Sequence, residues 1–226
     1  MSYMWQEFNI KTFAAETIVY RDGVYCPELS TLPSDEIGKK YDQPVHIIYV
    51  GEITGQNDLN INISADNQPV FLSVNVKNKK PAFLNIFIKN TGKNSELRGH
   101  VMLTNYDNLT YNCTAAHSAS DTGILIKTKL LAEDNSISKL SGTAVINKNL
   151  QNAVSDIGFS ALAAKNAKIT FVPAQRISSV PTAADHSAAI YHATQMQTQY
   201  LRQAGLTGDE VATAMRDAFM NDFPLF

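Results

Sequence analysis

Between residues 45 and about 150, apolar side chains recur at every second position, in short runs broken by Asn, Asp, Gly and Lys. That is the period of half-buried strands and not of a helix. Leu59, Ile61 and Ile63 form one such face; Val70, Leu72, Val74 and Val76 the next; Ala82, Leu84, Ile86 and Ile88 a third. Further runs lie at Val101 and Leu103, at 109–113, at 124–130 and at 143–146, punctuated by the turn-forming segments NTG at 90–92 and DTG at 121–123. Seven or more strands are predicted, spaced by about 11 to 13 residues. Strands of this length build a sandwich, a barrel or a coiled stack of rungs, and the period alone leaves the three open because each buries one face. No Gly, Asn or Asp marks each rung in a strict repeat, which disfavours a calcium-binding nonapeptide solenoid.

The pattern changes after Pro181. Residues 188–204 are rich in Ala, Gln, Met and Leu, and Ala193, Met196, Tyr200, Leu201 and Ala204 fall on one helical face. Gly205 can cap that helix, and TGDE at 207–210 has the capping-box form of a second one, with Asp209 and Glu210 at the favourable end of its dipole. Val211, Ala214, Met215, Ala218 and Phe219 make its apolar stripe, and Pro224 stops it. Near the start, Asp22 and Gly23 between two short apolar runs predict a hairpin. Tyr3, Trp5 and Phe8 are candidate anchors, and 34–42 reads as a solvated connection. The chain thus divides into a lead-in with a hairpin (1–44), a β core (45–182) and a two-helix segment (183–226).

Composition narrows the function classes. Nineteen basic against 21 acidic residues, a net charge of -2, build no basic field for nucleic acid or an acidic membrane. No apolar run approaches the ~20 residues that span a bilayer. The start lacks the layout of a secretory signal, so a cytoplasmic protein is expected. Cys26 and Cys113 stand far apart and outside any Cys-x-x-Cys spacing, which reads as two plain thiols.

Candidate chemistry is sparse. No Gly-rich phosphate loop, Gly-x-Ser-x-Gly elbow or His-Glu-x-x-His helix occurs, and the expectation is a protein that is not an enzyme. Of the histidines His46, His100, His117, His186 and His192, only the last two are close in sequence. A separation of six residues puts them roughly 120° apart on a helical wheel, which makes no metal clamp. His192 reads as a surface residue, and Asp156 and Glu133 as solvated loop acids. His186 follows Asp185 between a predicted strand and a helix, where an imidazole can face a partner or be held locally by the neighbouring carboxylate.

From residue 142 to 219 the chain resembles the core and C-terminal end of the SufB/SufD family. The features stand in the family's order: SGTAVI at 141–146, the Asn- and Leu-containing stretch 152–162, AKITFVP at 167–173, DHSAAI at 185–190, then Tyr200 and Leu201 ahead of Gly205 and Leu206. Upstream, IVYRDG at 18–23 and LSTLP at 29–33 are similar to the family's lead-in. The resemblance implies a mainly β protein, a right-handed parallel β-helix with two C-terminal α-helices, acting in iron–sulfur cluster assembly by the SUF system. It implies pairing with a SufB-like subunit or with itself through the β-helix. It also implies docking of a SufC-like ABC ATPase through Tyr200, Leu201, Gly205, Leu206, Val211, Met215 and Phe219. His186 stands where the family places a histidine at the subunit interface, which implies a ligand to an iron–sulfur cluster held between subunits and not by this chain alone. The departures are Ala184 and Ser187 where cluster-building members carry Cys and Glu, Ala204 in place of an Arg, and a reduced N-terminal helical region. They leave open a second reading, a degenerate β-helical interaction protein without metal chemistry.

Overall fold

The structure is a computed structural model that describes residues 16–36, 39–180 and 182–221. Tyr3, Trp5, Phe8 and Pro224 lie outside the described residues. Thirteen strands follow one another: β1 (Glu16–Arg21), β2 (Val24–Tyr25), β3 (Val45–Glu52), β4 (Gly55–Ile63), β5 (Pro69–Asn78), β6 (Ala82–Asn90), β7 (Glu96–Asn105), β8 (Asn108–His117), β9 (Gly123–Ala132), β10 (Ile137–Ile146), β11 (Ala153–Ala163), β12 (Lys168–Ile177) and β13 (Thr182–Tyr191). Two helices close the described chain, α1 (Gln195–Gln203) and α2 (Gly208–Asn221).

From β3 onward, successive strands alternate between two sheets. One has the order β13-β11-β9-β7-β5-β3-β1-β2 and the other β12-β10-β8-β6-β4. All pairings are parallel except β1 with β2. The chain therefore coils as a parallel β-solenoid of about six turns, which selects the stack of rungs among the three predicted architectures.

The core is built of columns. In one sheet Ile18, Ile47, Leu72, Gly99, Ile126, Ile157 and His186 lie in register. In the other, Ile61, Ile88, Ala115, Ala144 and Gln175 do so. Inward side chains are almost wholly buried from Ile18 to Ala163, each resting on its equivalent one turn away. Gly142 makes room for bulk from the facing sheet: a Cβ there would stand 2.7 Å from Ile157 Cγ2 and 2.9 Å from Phe159 Cζ.

Asparagine and aspartate hold the corners. Asn67, Asn94, Asp121 and Asn152 adopt φ of 57°, 54°, 58° and 52° at one corner of successive coils, a conformation these residues tolerate because their short polar side chains bond locally. Strand ends at the corners are polar but buried and paired. Asn90 Nδ2 donates to Ser95 O (3.1 Å), Asn105 Nδ2 to Ile137 O (3.0 Å), and His117 Nδ1 lies 2.8 Å from Thr122 Oγ1. Buried polar groups need such partners, and Asn90 and Asn105 thereby satisfy backbone carbonyls at the corners while His117 is held by the Thr122 hydroxyl.

Two boundaries differ from expectation. The predicted hairpin forms, with Asp22 and Gly23 both at positive φ, but β1 also pairs in parallel with β3. The solenoid therefore begins inside the lead-in and not at residue 45. At the other end, the helix expected from residue 188 starts only at Gln195, because 182–191 form a further strand in register with β11. Ala-rich composition favours helix weakly, and the free edge of β11 outweighed it.

Candidate functional site

The two ends of the larger sheet differ. At the N-terminal end, the segment after β2 folds back over the edge of β1. Thr17 N donates to Thr31 Oγ1 (2.7 Å) and Val19 N to Ser30 Oγ (2.9 Å). Cys26 N donates to Val19 O and Thr31 N to Thr17 O. Beside it Tyr49 stacks on Tyr20 and Tyr25 meets Tyr20 edge-on, each at 5.9 Å between centroids, and Tyr25 Oη donates to Leu32 O. Edge and core are both closed.

At the C-terminal end the last coil is open. Inward positions that are buried in every earlier turn become half-buried or exposed in β12 and β13: Ile177 is 43% and Ile190 44% exposed. Phe171 stacks on Phe159 with centroids 5.4 Å apart, which is the last aromatic layer before the opening. Beyond it the mouth is tied by two crossed bonds. Gln175 Nε2 donates to Ala184 O (3.0 Å), and His186 Nε2 lies 3.0 Å from Ala174 O. A carbonyl only accepts, so Nε2 is the donor in this bond. Nδ1 is buried and has no partner among the described residues.

His186 is thus neither in a turn nor beside a helix. It projects into the mouth of the last coil at the end of an aliphatic column, and the register that puts it there became visible only with β13. Ala184 and Ser187 flank it, Ala184 pointing inward as His186 does and Ser187 on the outer face with Asp185. The other histidines do other work. His46 pairs with Ser73, His117 is a corner residue whose burial pulls its pKa down to about 4, and His192 is exposed. Among the described residues no group of three or more His, Cys, Asp or Glu comes together to hold a metal ion. Cys113 is fully buried, and burial pushes its thiol up to about 12, far from the reactive thiolate form; Cys26 is half-buried in the N-terminal cap.

The tail separates into an anchored and an exposed helix. Thr207 and Glu210 cap α2 reciprocally. Val211 is buried and Phe219 sits 6.1 Å from the Tyr191 ring. Lys129 Nζ donates to Phe219 O (2.6 Å) at the negative end of the helix and lies 5.2 Å from the Phe219 ring, and Arg216 pairs with Glu133. Glu133 is therefore ion-paired and not a solvated loop acid, and so is Asp156, 2.6 Å from Lys127 Nζ.

By contrast α1, capped by Thr194 and ended by Gly205 at φ 94°, buries no residue. Met196 is 80% and Tyr200 70% exposed. Of the predicted docking residues, Val211, Met215 and Phe219 are buried or half-buried, Leu201 and Leu206 half-buried, and Tyr200 and Gly205 exposed. No described helix is long and apolar enough to cross a membrane. No known family's model matches the chain, and no curated protein matches it either.

Proposed function

We propose that this chain is a non-enzymatic assembly subunit of the SufD kind, which pairs with a SufB/SufD-type subunit through its open coil and presents its C-terminal helices to a SufC-type ATPase in iron–sulfur cluster biogenesis. The observation that carries the reading is the asymmetry of the solenoid: a closed edge at β1 and an open mouth with two uncovered strands at β12 and β13. An open mouth meeting another continues both sheets and buries Ile177 and Ile190, which removes the liability of bare edges. The tail supports the second contact. α1 offers Met196 and Tyr200, both largely exposed among the described residues, while α2 is tied through Arg216, Lys129 and Phe219 to the wall of the solenoid. A force applied to α1 therefore reaches β9 and the corner beside it.

The residues of this chain alone do not fit a cluster. His186 commits Nε2 to Ala174 O and buries Nδ1, and no cysteine lies near it. That geometry favours the second reading, an interaction protein without metal chemistry, as the alternative. The test is reconstitution with SufB- and SufC-type chains from the same genome. A ternary complex that α1 substitutions Met196→Glu and Tyr200→Ala dissociate from the ATPase supports the proposal, and failure to bind either chain overturns it. Anaerobic loading with iron and sulfide separates the two readings, since only the first gives visible absorbance that His186→Ala lowers.

A further inference from the structure

Charge is distributed unequally between the two sheets. In the larger sheet the basic residues of the strands from β3 onward are Lys77, Arg98, Lys127 and Lys129, and each is held: Lys77 by Glu52, Arg98 by Glu96, Lys127 by Asp156 and Lys129 by the Phe219 carbonyl. The strands of the smaller sheet carry four cations, Lys89, Lys139, Lys168 and Arg176, against one acid, Asp58. All four cations are exposed, and none has an ion-pair partner among the described residues. Asp58 lies on the end strand β4, where Gln56 Nε2 and Asn85 Nδ2 both donate to its Oδ1 at 2.7 Å. The net charge of -2 therefore averages over a face that is basic by itself.

Alternation along the strands puts the four cations on the outer face, together with two phenylalanines of β6. Phe83 is 47% and Phe87 42% exposed, and their places on one strand set them ~13 Å apart. Between them runs a fixed polar row: Ser141 Oγ donates to Asn112 Oδ1 (2.6 Å), Asn112 Nδ2 to Asn85 Oδ1 (2.7 Å), and Asn85 to Asp58. Thr110 lies in register with Phe83, and Thr114 and Thr143 with Phe87. Lys139 continues the Phe83 column and Lys168 lies just outside it on β12, while Lys89 and Arg176 share the column beyond Phe87.

We infer that the outer face of the smaller sheet binds single-stranded nucleic acid, with bases stacked on Phe83 and Phe87 and phosphates drawn to Lys139, Lys168, Lys89 and Arg176. Two exposed rings on a flat sheet, bordered by cations, combine the stacking platform and the electrostatic track that such binding needs. Asn85 and Asn112 each keep a second N–H and a second lone pair beyond the ladder, which can meet base edges. Charge complementarity calls for an anionic occupant, and the rings choose among anions. An acidic peptide would satisfy the cations and leave both rings unused, and a duplex hides the base faces that the rings would stack on. The surface is a sheet face and not a strand edge, so it stands independently of the pairing proposed above.

The experiment is fluorescence anisotropy of the full chain with labelled oligothymidylate and oligouridylate of about 12 nucleotides, titrated over a range of salt concentrations. Binding is expected at about 50 mM salt, with log affinity falling against log salt at a slope near about -3, since each of four neutralised phosphates contributes about -0.7. Phe83→Ala and Phe87→Ala should each weaken binding by at least about 5-fold without moving the melting temperature, and Arg176→Ala should make the salt slope shallower by about 0.7. Arg98→Ala, on the other sheet, should leave affinity unchanged. No binding to either oligonucleotide at low salt overturns the inference. So does equal affinity for polyglutamate or for a duplex of the same length, or affinity that survives both phenylalanine substitutions, because each would mean that charge alone acts.

Discussion

The first and last coils of this solenoid are built on the same columns and end in opposite ways. Ile18 and His186 occupy equivalent positions of one register, yet Ile18 is fully buried beneath a hairpin and three tyrosines while His186 stands at an open mouth. The hydroxyls of Ser30 and Thr31 replace a neighbouring strand at β1, and no segment of the described chain does so at β13. A solenoid must stop somewhere, and each stop leaves a row of unpaired backbone groups. In the larger sheet the row at β1 is satisfied from within the chain, and the row at β13 has no strand beside it among the described residues. The difference teaches that the two ends of one sheet, built on the same columns, can be finished in opposite ways: one edge covered by the chain itself, the other left without a strand among the described residues.

Substitutions along a single column sharpen that contrast. Leu72→Ala, in a closed coil, should lower unfolding stability by about 2–5 kcal/mol, whereas His186→Ala at the mouth should cost about 1 kcal/mol. Urea denaturation of both measures the gap, and equal losses would mean that the mouth is packed like the interior. The corner histidine gives the next effect. Burial holds His117 neutral down to about pH 4, so between its ordinary value near 6.5 and that point the unfolded chain takes up a proton that the folded chain refuses. Stability should therefore fall as pH is lowered through this window, by up to about 3 kcal/mol, and His117→Asn should flatten the slope. Tyr20→Ala removes the middle ring of the N-terminal stack and should cost about 1–3 kcal/mol in thermal melts; no loss would show that the hydroxyl contacts close that end without the rings. The smallest effect belongs to the tail: Arg216→Ala should change global stability by less than about 1 kcal/mol while exposing the α1–α2 linker to faster proteolysis.

Much of this was legible beforehand because alternation is local. The strand faces from Leu59 to Ile146, the hairpin at Asp22 and Gly23, and the caps at Gly205 and Thr207 all depend on neighbours within a few residues. The coil repeat was also present, since Leu72, Gly99 and Ile126 recur at equal intervals, but glycine and alanine at core positions blur it. β13 was not legible. The Thr- and Ala-containing segment 182–191 has no strong apolar alternation, and only the open edge of β11 makes it a strand.

The sequence by itself determined that the chain is β with a capped helical tail, because side-chain period and end-capping are short-range properties. Only the tertiary structure decided which sheet edge is closed, that His186 and Gln175 cross-tie one mouth, and that α2 is held while α1 is free. Those are contacts between residues brought together by the coiling, and a backbone edge becomes a surface only once every other strand has found its neighbour.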